Sequence, residues 1–358
     1  MRGVMVLRTQ EKFTIHSCIK KIPFSTLAVG VLYLAVLILG VVNGFTVSRL
    51  LSDSLHFFGV WAILTLANVP SIQSGTGPNF ALPIGVVSGL LAMVLVLAAG
   101  FAGMGFIIVA GFLAIALGSA TGYLYGRLMN AVKGSEMAIA PYTGFAITAA
   151  FSLVWLSLPI THPNMIFFLG DGLRHQIPLD YFRADFILAN FLYFELFGLE
   201  IRTGELLAVT VACILMYLFF RTKTGISISA VGRNPMFAKA TGLNVDRSRI
   251  IANMMSTAIA AFGVIIYAQG FGFIQLYGFP MLMAFPAVAS VLVGGASAQR
   301  AKVANVLIGT FVFQGLLAIA LPVFTRVLDG AGFVNQIRMV VQNGVIIYAL
   351  SRMSKGGK

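Results

Sequence analysis

Polar residues interrupt this chain at intervals that leave about ten apolar runs, each near the 20 residues a helix needs to cross the hydrocarbon of a bilayer. The runs are Leu27 to Val47, a shorter Leu55 to Ile72, Phe80 to Ala99, Gly103 to Tyr125, Met137 to Leu158, the short Leu206 to Phe220, Ile250 to Gly272, Phe279 to Ala298, Val303 to Val323, and Phe333 to Leu350, which carries Arg338. Each is predicted to be a membrane-spanning helix. The second and third runs are joined by "SIQSGTGPNFALPIG", with its glycines and prolines and no charge. That composition predicts a helix break at membrane depth, where unwound backbone must be buried in protein or line a cavity.

The fold class that follows is an all-α polytopic membrane protein with one broken-helix region after span two. A single transmembrane domain covers residues 24–352, between a basic tail over 1–23 and a short tail over 353–358. Composition agrees with the pattern: 59% hydrophobic residues, 10% charged and a mean hydropathy of +0.94 leave too little polar surface for a soluble globule. The first run follows a basic tail as a secretory signal would, but it is long for one and no small-residue cleavage site follows, so it reads as a retained anchor. Cys18 and Cys213 offer neither a disulfide framework nor metal-ligand spacing.

Charge orients the bundle. The 24 Lys and Arg concentrate in the tails and in alternate connections, at Arg127 and Lys133, between Arg221 and Arg249, and at Arg300 and Lys302. Cationic loops stay cytoplasmic, which places both termini inside. The net charge of +13 is therefore topological, and no nucleic-acid partner is implied. Residues 221–249 become a cytoplasmic loop and residues 159–205 an outer segment. In the latter, "DYFRADFILANFLYFELFGLE" interleaves acids with rings and predicts a helix lying at the headgroup level.

The cytoplasmic loop carries its own local code. In "GRNPMFAKATG", Asn234 can cap, Pro235 suits the first helical position, Met236 to Thr241 continue the helix, and Gly242 can take the left-handed stop. Two turns are marginal alone in water, so something must hold them. Met236 and Phe237 could dip into headgroups with Lys239 on phosphate, or seat in the groove of a partner protein.

The stretch "RTKTGISISAVGRNPMFAKATGLNV" resembles the cytoplasmic loop of permease subunits of bacterial ABC importers for ribose and other simple sugars, a group related to the branched-chain amino acid permeases. "FPAVASVLVGGASAQ" is similar to that family's later small-residue run ending in a Gly-Gly pair. The resemblance implies that Arg233, Asn234, Pro235, Met236, Phe237, Lys239 and Gly242 form a coupling helix that seats on an ATPase subunit. It also implies a second permease subunit, identical or homologous, an extracytoplasmic substrate-binding protein, and a place in the bacterial inner (plasma) membrane. ATP and Mg belong to the ATPase; this chain is expected to bind no cofactor. Members of the sugar group carry an acid in the run after span two, which "SGTGPNFALPIG" lacks, so the resemblance does not name a sugar.

No enzyme motif emerges. G-x-x-x-x-G-K-[ST], G-x-S-x-G and H-E-x-x-H are all absent, and His16, His56, His162 and His175 are scattered. Ionisable residues at membrane depth are few: Arg49 and Asp53 at the edge of span one, and Arg338, read as snorkelling or structurally paired. That scarcity favours a passive pathway opened by a motor over the alternative, an ion-coupled secondary carrier. Gly118, Gly122 and Gly126, and Gly85 and Gly89, recur four apart and predict close helix packing. Uncharged polar residues (Asn68, Asn79, Thr148, Asn253, Ser256, Gln269 and Gln314) are the hydrogen-bonding equipment left for a neutral solute. Asn68, Asn79, Asn253 and Ser256 are the expected pathway residues, the first two because they flank the break.

Overall fold

The computed structural model describes residues 23–160, 162–167, 172–328 and 334–355. The basic tail, but for Pro23, and the last three residues lie outside the described residues.

Every predicted run contains a helix. In chain order these are α1 (Phe24–Val42), α2 (Val47–Leu66) with its short continuation α3 (Asn68–Gln73), α4 (Leu82–Ala98), α5 (Gly103–Ala131) and α6 (Glu136–Ser157). After the outer segment come α8 (Thr203–Phe219), α11 (Val245–Phe271), α12 (Phe279–Val293), α13 (Val303–Val327) and α14 (Val334–Lys355). Among the described residues, six helices are long and apolar enough to cross a membrane, with α2 and α3 taken as one span, and a bent pair makes up to seven. α4 and α12 are apolar but shorter, at 17 and 15 residues.

The core is built on α11, which packs along α5, α4 and α2. The glycine ladders explain how closely. A Cβ on Gly122 would overlap the Thr257 hydroxyl and one on Gly118 would sit 2.9 Å from the Thr257 carbonyl oxygen, so small residues let the two backbones touch. Gly85 and Gly89 do the same for α4 against Thr257 and Ala261. The outward faces carry Leu, Ile and Phe: Phe112, Leu124, Leu153 and Leu215 are among the exposed apolar side chains, as lipid solvation requires.

Three expectations are corrected. Span one ends at Val42, and span two begins at Val47 after a turn in which Gly44 takes φ 91° and the Thr46 hydroxyl accepts from Arg49 N–H. Arg49 and Asp53 therefore sit on α2. Among the described residues of 159–202 there is no helix longer than four residues where one interfacial helix was expected; the segment folds into short pieces. These include a four-residue helix α7 (Ile187–Asn190), a hairpin β2 (Phe194–Leu196) with β3 (Leu199–Ile201), and β1 (Gln176–Pro178) paired antiparallel with β4 (Phe273–Gln275). Left-handed backbone at Arg183, Phe186, Leu192 and Phe197 breaks any helix there. The cap is pinned from the bundle by Gln269, whose side chain donates to the Ala184 carbonyl at 2.6 Å and accepts from Ile187 N–H at 3.1 Å. Lastly, the basic loop contains an additional helix, α9 (Lys223–Arg233), capped by the Thr222 hydroxyl and bent 77° from α8.

Candidate functional site

The end of the bundle that carries the basic loops is where the predicted residues gather. α8 turns through the elbow into α9, whose last residue is Arg233, and the chain then forms a two-turn helix, α10 (Pro235–Ala240). The local code reads as expected. Asn234 accepts from Phe237 N–H at 3.0 Å, Pro235 opens the helix, and Gly242 stops it with φ 83°. Only Ala238 of this helix is buried. Met236 is 84% exposed and Phe237 64%, with Arg233 and Lys239 also exposed. Two large apolar side chains thus stand off a polar, capped platform.

That platform is braced. Lys133 pairs with Asp246, Asn130 donates to the Asp246 carbonyl at 2.9 Å, and Arg249, buried in the base of α11, pairs with Glu136 at the start of α6. The turn between α5 and α6 is so tied to the helix that follows α10. A cavity of about 760 Å³ lies between them, bounded by Gly134, Glu136, Gly232, Met236, Asp246 and Arg249. Sequence named Lys133 and Arg249 only as orienting charges; their pairing was not foreseen, because ion pairs across 113 residues leave no local pattern.

The pathway candidates fall just beneath. After α3 the chain leaves helical geometry for residues 74–81, and all of these but Gly75 are buried. Three of the four expected residues meet here. Asn68 Oδ1 accepts from Asn79 N–H at 3.0 Å, Asn79 Nδ2 donates to Ser256 Oγ at 2.7 Å, and Ser256 donates to the Ala67 carbonyl at 2.6 Å. The fourth, Asn253, donates to the Arg249 carbonyl within its own helix at 2.9 Å. All four are fully enclosed. Asn79 Oδ1 and Asn253 Oδ1 are buried acceptors with no partner among the described residues. Elsewhere Gln314 on α13 ties to Ser290 on α12, while Thr148 bonds only its own helix.

Scarcity of charge at membrane depth holds less well at the opposite end. His56 on α2 lies 3.0 Å from the Glu205 carboxylate on α8, with Arg202 against the imidazole, and Glu205 is 1% exposed. Sequence reading missed this cluster because its members are 149 residues apart.

Comparison with known proteins places this architecture. The family described as "branched-chain amino acid transport system / permease component" matches residues 50–350. The chain belongs to that family. It is a multi-pass protein of the inner (plasma) membrane, as the sequence resemblance anticipated. Shorter stretches are similar to two permease proteins of Lactococcus lactis subsp. cremoris (strain MG1363). One, the nucleoside ABC transporter permease protein NupB, is 29% identical over 100 residues, 27% of each chain. The other, the nucleoside ABC transporter permease protein NupC, is 26% identical over 132 residues, 36% of this chain and 40% of the relative. The guanosine ABC transporter permease protein NupQ of Bacillus subtilis (strain 168) is 32% identical over 75 residues, 21% of this chain and 24% of the relative. The matched stretches thus span between a quarter and two fifths of these relatives. A solved metal-chelate type ABC transporter in an inward-facing conformation aligns over 91% of this permease and 99% of its own chain, with a TM-score of 0.48 and 16% identity.

Proposed function

We propose that this permease forms the translocation pathway of an ATP-driven importer for a small neutral solute, a nucleoside or a sugar, and works by alternating access. The observation that carries this reading is the α9–α10 elbow. A capped two-turn helix with Met236 and Phe237 exposed, on a base held by the largely buried Arg249–Glu136 pair and the surface Lys133–Asp246 pair, suits a groove in another protein. Its partner at that face is an ATPase subunit bearing ATP and Mg, with Arg233, Asn234, Pro235, Lys239 and Gly242 shaping and orienting the docking helix. A substrate-binding protein meets the folded cap over residues 159–205, and a second permease subunit, identical or homologous, completes the pathway. Asn68, Asn79, Asn253 and Ser256 are its polar lining once the enclosed turn opens, and their lack of charge matches a neutral solute. The names of the similar nucleoside and guanosine permeases support the nucleoside class first.

Reconstitution tests the reading. The purified permease alone in liposomes hydrolyses no ATP; with its ATPase and binding protein it accumulates tritiated guanosine, uridine or ribose against a gradient. Uphill uptake by the permease alone under a sodium or proton gradient makes the secondary-carrier alternative correct instead.

A further inference from the structure

The face that would receive a motor and the enclosed polar turn are joined through one side chain. Gln73, the last residue of α3, uses both ends of its amide on different segments of the basic end. Its Oε1 accepts from the Ser229 hydroxyl on α9 at 2.8 Å, and its Nε2 donates to the Ala301 carbonyl, just before α13, at 2.6 Å. A two-ended amide held in this way resists displacement of either segment. Beside it the backbones of the elbow and the turn are in van der Waals contact. A Cβ on Gly232 would overlap the Gln73 carbonyl oxygen, and one on Gly75 would lie 3.1 Å from Gly232 Cα.

Past Gln73 the turn is stiffened from within. Ser71 Oγ donates to the Gly77 carbonyl at 2.6 Å and lies 3.0 Å from Thr76 Oγ1, while Ser74 Oγ donates to the Ser71 carbonyl at 2.8 Å and lies 2.9 Å from the same Thr76 hydroxyl. A buried, mutually bonded set of hydroxyls of this kind rigidifies the turn. Its far end is Asn79, bonded to Asn68 and Ser256, with its own buried acceptor left over. Force applied to α9 therefore has a contiguous route of packed backbone and hydrogen bonds to the polar network, with the Gln73 side chain at the junction of elbow and turn.

We infer that Gln73 is a positioning residue for transport: through Ser229 it ties the docking elbow to the 74–81 turn, so that displacement of the elbow opens the Asn68–Asn79–Ser256 network. This inference rests on the importer reading and adds the element that transmits the motion.

The test compares wild type, Gln73→Met and Ser229→Ala in the full reconstituted complex with ATPase and binding protein. ATP hydrolysis and uptake of tritiated guanosine, uridine and ribose are measured on the same vesicles. Gln73→Met keeps length and bulk but can neither accept nor donate as the amide does, and Ser229→Ala removes the elbow arm alone. Each variant is expected to retain the ATPase and to hydrolyse ATP as wild type does. Solute moved per ATP falls about tenfold, within the range typical of coupling between two sites. The double variant falls no further than Gln73→Met alone, because both act on one link. A structural role would lower hydrolysis and uptake together and leave their ratio unchanged; that result, or additive single effects, overturns the inference while the importer reading stands. A wild-type complex that accumulates none of the three solutes overturns the importer reading and this inference with it.

Discussion

Gly232 and Gln73 touch through backbone: the position a Cβ would take on Gly232 is already occupied by the Gln73 carbonyl oxygen, with Gly75 N behind it. No rotamer change can clear that space, since the opposing atoms belong to the main chain. Gly232→Ala is therefore expected to cost about 1–3 kcal/mol, the usual range for forcing extra volume into a packed site. A lowered Tm of the detergent-solubilised permease would report it. Gly30→Ala is the control, because a Cβ at Gly30 meets nothing within 4 Å and its Tm should stay at the wild-type value. Equal behaviour of the two variants would mean that the elbow and the turn are not in contact.

Phe237→Ala removes the larger exposed anchor of α10 without touching the Asn234 cap, which bonds the Phe237 main chain. If the anchor fills a groove of the ATPase, truncation costs about 2 kcal/mol or more of binding. Co-purification of the ATPase should drop accordingly. Met236→Asp should be worse, since it would leave an unpaired carboxylate in a desolvated groove. Retention of the ATPase by both variants would assign α10 to the membrane surface instead.

Topology follows from the two ends of the bundle. In a background without Cys18 and Cys213, His175→Cys in the folded cap and Lys239→Cys on α10 are both exposed positions at opposite ends. An impermeant thiol reagent added to sealed right-side-out vesicles should label the first and spare the second. Labelling of both from one side would break the positive-inside orientation.

The enclosed turn gives a stability prediction. Asn68→Ala leaves the buried Asn79 N–H without its acceptor, an omission worth about 1–3 kcal/mol. Thr148→Ala removes a hydroxyl that bonds only its own helix and should shift the Tm far less. Thermal unfolding of both variants in the same detergent decides the matter, and equal shifts would remove the tie from the account of this turn.

The sequence by itself determined what depends on a few neighbouring residues. Apolar run length fixed the helical segments, because hydrocarbon leaves a helix as the way for each segment to satisfy its own backbone. Asn234, Pro235 and Gly242 announced α10, since caps and stops act within one turn. The uncharged Gly-Pro stretch after span two announced the break. Tertiary structure decided what depends on distance along the chain. Charge spacing alone put Arg49 and Asp53 at the edge of span one; the four-residue turn at 43–46 moved them onto α2. Aromatic and acidic alternation suggested a surface helix over 159–205, but pairing of β1 with β4, nearly a hundred residues on, folded it into a cap. Gln73 lies within the joining stretch with nothing local to single it out, and packing alone brings Ser229 and Ala301 to either end of its amide. Hydrogen bonds and ion pairs between remote segments follow from which helix faces meet, and that choice is made by the glycine-lined packing of α11 against α4 and α5 rather than by any local pattern.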